Sequence, residues 1–176
     1  GGIDHNTGSS FGLANSGTIS ASFGTAVSVD SGFGQIVNHG VIAASFQGDG
    51  ILLTNSQGTG NFVSVVNFGR ISGHSDGIQA SGDDSADIRN HGEVGGDVRT
   101  SSGDDYIVNT GTITEDISVS SGDETVINRG LVDQDILLNV GDDYFDGRGG
   151  VVLGVVLGSS GDDIYMLDDP DIELVE

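Results

Sequence analysis

At 176 residues the chain is expected to form one domain, and with 31 glycines, a single proline and no cysteine it is neither a disulfide-held scaffold nor a helical protein. Its 27 acidic residues face only five arginines and no lysine, a formal net charge of −22 that makes nucleic acid and anionic membrane poor partners. No stretch is apolar for long enough to cross a bilayer, and GGIDHNTGSS does not read as a signal peptide, so any export address is expected outside this segment.

Taken in order, the chain repeats one marker, Asn-x-Gly-x-(Ile/Val), at Asn15, Asn38, Asn67, Asn90, Asn109 and Asn128. The spacings are 23, 29, 23, 19 and 19 residues. A period of this size, with β-branched runs between Gly, Asn and Asp turns, is the mark of a solenoid in which each unit is one coil. Residues 1–81 form longer coils and 82–176 short, tight ones. The fold expected over 1–176 is therefore all-β, a single right-handed parallel β-helix (β-solenoid or β-roll) of about seven coils, each 19–29 residues long.

Strand alternation sorts the inward positions into four apolar columns. The first holds Leu13, Ile36, Val65, Ile88, Ile107, Val126 and Phe145; the second holds Ile19, Ile42, Ile71, Val94, Ile113, Val132 and Val151. A third runs Val27, Ile51, Ile78, Val98, Ile117, Ile136 and Val155, and a fourth Val29, Leu53, Ala80, Thr100, Val119, Leu138 and Leu157. The Asn column buries amides that need hydrogen bonds, and stacked at about 4.8 Å they can bond one another as a ladder. Gly147 takes the Asn position in the seventh coil, so the ladder should stop there. Phe23 and Phe46 are expected to stack on adjacent coils and shield the core. His39 and His91 read as exposed turn residues, two coils apart and too distant to share a metal.

Only Asp4, Asp30, Asp49 and Asp76 are acidic in residues 1–80; the rest crowd into the C-terminal part. There an acidic turn recurs, Gly-Asp-Asp or Gly-Asp-Glu, at Asp83 and Asp84, Asp104 and Asp105, Asp123 and Glu124, Asp142 and Asp143, and Asp162 and Asp163. Carboxylates one strand spacing apart repel by about 1 kcal/mol in water and several-fold more near a protein surface. A hard cation removes the repulsion, because Ca²⁺ takes roughly six to eight oxygens from carboxylates and turn carbonyls. Calcium held between coils by these ten acids is the expected reading; the alternative is a solvated acidic edge. Asp97, Asp116 and Asp135 form a second acidic column, open to either reading.

Gly103-Asp104-Asp105-Tyr106-Ile107, Gly122-Asp123-Glu124-Thr125-Val126 and Gly141-Asp142-Asp143-Tyr144-Phe145 resemble the second half of the GxGxD-x-U repeat of RTX, or haemolysin-type calcium-binding, proteins. The C-terminal GDDIYMLDDPDIELVE is similar to the ending of many such repeats. By that resemblance Asp84, Asp105, Glu124, Asp143 and Asp163 are the main ligands. The opening glycines of the motif are mostly missing, and each coil carries one motif instead of two. Residues 1–81 more loosely resemble the coils of autotransporter-like adhesin passengers.

The resemblance implies a structural or adhesive module of a larger secreted or cell-surface protein, exported by type I secretion and folding on calcium outside the cell. A polysaccharide-active β-helix enzyme (lyase, hydrolase or epimerase), or its accessory carbohydrate-binding module, is the rival reading. No pair of acids stands out for catalysis, and Arg129 and Arg148 sit in no obvious carboxylate constellation, so no enzyme activity is expected. Open solenoid ends expose strand edges and neither terminus carries an amphipathic cap. Flanking domains or copies of the module stacked end to end are therefore the expected partners, beside calcium and a surface or glycan ligand.

Overall fold

Each β-branched run is cut by a Gly, Asn or Asp turn after a few residues, so no strand can pair with its sequence neighbour and each pairs instead with its counterpart one coil away. The computed structural model describes residues 2–6, 10–30, 33–55, 62–82 and 85–176, which wind into an all-β parallel solenoid of about six turns, close to the seven expected. Among these residues there is no helix.

Three faces stack along the axis. The first is an eight-stranded parallel sheet from Phe11–Asn15 through Tyr106–Asn109 and Thr125–Asn128 to Ile164–Met166. The second runs from Thr18–Ala21 to Val151–Val152 and the third from Ile3–Asn6 to Glu173–Val175. Two long strands, Arg70–Ser81 and Glu93–Arg99, pass through the corner between the second and third faces and join them into one 14-stranded sheet.

Pairing registers reproduce the columns rung by rung. Leu13 stands over Ile36, then Val65, Ile88, Ile107, Val126 and Phe145. Ile36, Ile88, Ile107, Val126 and Phe145 are buried, as are Ile42, Ile71, Val94, Ile113 and Val132 in the second column. Each such side chain contributes about 1.5–3 kcal/mol by leaving water. Stacking identical shapes at one spacing fills the slim interior.

In the last coil the expected positions slip by one. Leu131 pairs with Val151, Val132 with Val152, and Ile136 with Val156. Val152 and Val156, not Val151 and Val155, enter the core, and Gly158, not Leu157, follows Leu138. The cause is the turn Gly147-Arg148-Gly149-Gly150, one residue longer than Asn128-Arg129-Gly130 and opened by Gly149 at φ +75°. Because side chains alternate, one extra residue turns the whole strand over. A side chain at Gly158 would collide with the Tyr165 hydroxyl, whose ring plugs that end of the interior.

The Asn ladder is complete. Asn15, Asn38, Asn67, Asn90 and Asn109 each donate from Nδ2 to the Oδ1 of the next, at 2.8–2.9 Å, ending at Asn128. Every rung also takes the amide of the Gly two residues on and donates to a carbonyl of the following coil, as Asn90 does with Gly92 and Thr112. The ladder stops at Gly147, as expected. There Arg129 and Arg148 both grip the buried Asp146, at 2.5 and 2.7 Å, and Arg129 also reaches the Asn128 carbonyl. The two arginines thus do share a carboxylate, which sequence spacing had not revealed, and their hydrogen bonds, Arg148 first, hold Asp146 well below the usual carboxylate range.

Candidate functional site

The acidic turns lie where the third face hands the chain back to the first. Their glycines adopt positive φ, from +104° at Gly103 to +154° at Gly141. At Gly122 the angle is +142° and a Cβ would collide with the Gly103 carbonyl oxygen, so only glycine lets successive turns nest this closely.

Nesting sends the two acids of each turn in opposite directions. Asp104, Asp123, Asp142 and Asp162 are exposed and form an outer column. Asp104 accepts the Asp123 amide, Asp123 that of Asp142, and Asp142 that of Asp162, at 2.8–3.0 Å. Asp105, Glu124 and Asp143 turn inward and are only 2, 1 and 1% exposed, with Asp163 half-buried beyond them. Their bonds run the other way along the axis: Asp105 accepts the Ala86 amide, Asp143 that of Glu124, and Asp163 that of Asp143. Asp83 and Asp84 lie outside the described residues.

Four inward oxygens are orphaned: Asp105 Oδ2, both oxygens of Glu124 and Asp143 Oδ2. A buried charge without a partner is costly enough that the group tends to take up a proton instead. Burial pushes Asp105 up to about 6, damped by the nearby Thr100 hydroxyl, which makes no well-formed hydrogen bond, and by the Ala86 amide. Burial, then the charge of Asp143, raises Glu124 to about 9; burial also raises Asp143, against the pull of the Glu124 amide. Without metal, Glu124 keeps its proton at neutral pH, beside Asp143.

The second acidic column is satisfied within the chain. Asp97 accepts the Asp116 amide, Asp116 that of Asp135, and Asp135 that of Val155. Two acids missed by sequence spacing belong to it. Asp49 accepts the Asp76 amide, and Asp76 pairs with Asp97 in register while Arg99 bridges both. They were hidden because Asp49-Gly50-Ile51 and Asp76-Gly77-Ile78 carry a glycine between acid and apolar residue that Asp97-Val98 and its followers lack.

Comparison with protein-family models, with curated proteins and with solved structures finds no match in any of the three. The likeness to RTX repeats therefore stands on the residues of the acidic turns alone. Their chemistry fits a hard cation, since every donor is a carboxyl oxygen and four are buried without a partner. Among the described residues no three His, Asp or Glu side chains converge into a ready cage. A bound ion would have to draw carboxylates of adjacent rungs together and complete its shell with backbone carbonyls and water.

Proposed function

We propose that this chain is a calcium-stabilised β-solenoid module of a larger secreted or cell-surface protein, with a structural or adhesive role and no catalytic one. The observation that carries the reading is the set of orphaned, buried oxygens on Asp105, Glu124 and Asp143, unpartnered hard donors of the kind a divalent cation takes. Asp105, Glu124, Asp143 and Asp163 would hold the ion from inside, with Asp104, Asp123, Asp142 and Asp162 keeping the turns nested and the local potential negative. Asp83 and Asp84 complete the same pattern in sequence. Calcium supplies positive charge that lets neighbouring inward acids ionise together.

Cellular calcium gradients make this a folding switch. Inside a cell the scarce ion leaves the carboxyls to compete for protons; outside, binding to the folded form alone adds about 2.7 kcal/mol when calcium is roughly 100 times its dissociation constant. Export in an unfolded state by type I secretion follows from the same resemblance. The test is calorimetric titration of the EGTA-stripped chain with CaCl₂, followed by thermal melting. Saturable binding and a higher melting temperature support the reading, and a chain indifferent to millimolar calcium in both measurements rules it out.

A second reading has its own observation: Glu124 protonated beside Asp143 accounts for the buried acids without metal. It predicts stability governed by pH and not by calcium, so the same titration separates the two.

A further inference from the structure

Coil length changes along the solenoid, and the change leaves a notch in its side. At the corner between the second and third faces, Ser72 pairs with Gly95 and Asp76 with Asp97, so Gly73, His74 and Ser75 of the longer coil stand opposite the lone Gly96. The surplus residues bulge outward over Gly95 and Gly96. Gly96 is at φ +112°, and a Cβ there would come within 2.7 Å of the Gly77 amide nitrogen, so the paired strand excludes a side chain and the floor stays bare. Thr114 and Glu115 of the next coil form the far wall of a cleft of about 410 Å³. That is within the range of small-ligand sites, roughly 300–1,000 Å³.

Leading into the notch is a column of exposed rings. Phe23 and Phe46 project from the corresponding loops of the two preceding coils and remain 80 and 60% exposed, so they do not shield the core as their sequence suggested. Their centroids are 5.8 Å apart, and Phe46 lies 6.1 Å from His74 with the planes 16° apart. The rings pack on one another across coils yet keep most of their surface in water, and here, unlike the column of His39, Phe68 and His91, they run up to a polar cleft, the combination that marks a binding site. One ring projects from each of the three coils, and the cleft after them offers hydroxyls (Ser75, Thr114), a carboxylate (Glu115) and the guanidinium of Arg70, which Glu93 neutralises at 3.2 Å.

We propose that this surface binds a neutral oligosaccharide along the solenoid axis. Pyranose rings have an apolar C–H face and a hydroxyl edge. Successive sugars stack on Phe23, Phe46 and His74, and the leading sugar places its hydroxyls among Ser75, Thr114 and Glu115. Charge selects against polyanionic glycans: the chain carries −22 and the notch has acidic groups on its walls. The surface spans the junction between the long coils and the short acidic ones, and its argument does not rest on the calcium reading.

The experiment is an array of neutral and sulfated glycans probed with the intact chain, in calcium and again in EGTA, followed by titration of the best neutral hexasaccharide. Binding to neutral pyranose chains is expected. Phe46→Ala and His74→Ala should each weaken it at least ten-fold, with circular dichroism and melting temperature unchanged because both side chains are exposed. Phe68→Ala, in a ring column on another corner, should have no effect. No neutral glycan bound, binding of sulfated glycans only, or Phe23 and Phe46 buried in a concentration-dependent dimer seen by sedimentation would each overturn the proposal.

Discussion

The amide of Glu124 donates to Asp143 Oδ1 at 2.9 Å, yet neither oxygen of the Glu124 carboxyl finds a partner of its own. One residue thus joins adjacent rungs through its backbone and strains them through its side chain. Its ionisation decides which influence wins, and pH and metal both act on that ionisation.

Without metal, stability should fall as pH rises. Asp105 is raised from 3.8 to about 6 and Glu124 from 4.5 to about 9, so in each window the folded chain holds a proton that the unfolded chain has released. The contribution is fully present below about pH 4 and is lost through pH 6 for Asp105 and towards pH 9 for Glu124. The slope is about 1.4 kcal/mol per pH unit for each such proton. Calcium bound to these carboxylates should flatten or reverse it. Urea melts at pH 5, 7 and 8.5, with EGTA and with millimolar calcium, measure both slopes; an EGTA curve that climbs with pH would contradict the buried-acid account.

Replacing Asn90 by Ala removes the middle of the amide ladder. It takes one partner from Asn67 Nδ2, which keeps the Gly69 and Glu93 carbonyls, and one from Asn109 Oδ1, which keeps the Gly111 amide, and it leaves the Gly92 amide without its side-chain acceptor. Each orphaned buried group costs about 1–3 kcal/mol. The expected loss, on the order of 3 kcal/mol, should be the same at pH 5 and pH 8 because no titrating group is involved. Asn15→Ala, at the ladder's first rung, should cost less.

Much of this architecture is legible in residue spacing because a solenoid converts sequence period directly into spatial register. The Asn marker alone aligns Leu13 through Phe145, and the positions two and four residues from it fall on their columns without further information. What spacing missed has local causes. Gly149 lengthens one turn and flips Val151 and Val152. Gly50 and Gly77 displace Asp49 and Asp76 from the column they share with Asp97. Opposite hydrogen-bond directions for the two acids of one turn follow from the positive φ of its glycine, which no count of residues discloses. Phe23 and Phe46 were correctly paired but wrongly turned inward, because apolar character alone does not tell a core residue from an exposed platform.

The register slip in the last coil has a simple test. Val152→Asp places a carboxylate in the interior and should destabilise by several kcal/mol, enough to unfold the terminal coils. Val151→Asp lies on the outside and should stay within about 0.5 kcal/mol. The reverse order, from matched denaturant melts, would restore the uninterrupted 19-residue period.

Glu124→Gln distinguishes the metal from the proton. The carboxamide keeps the shape of the side chain and stays neutral at every pH, as the protonated acid does only below its pKa. The metal-free variant should therefore be more stable than the parent at pH 8 and equal to it near pH 4. Its stability should fall less steeply with pH, by about 1.4 kcal/mol per unit over the range where Glu124 would have held its proton. If calcium sits against this residue, the variant should also lose most of the thermal shift that calcium gives the parent, because an amide oxygen brings no negative charge to the ion. Retention of the full calcium shift together with the gain at pH 8 would move the ion away from Glu124, leaving the residue as a proton-bearing rung.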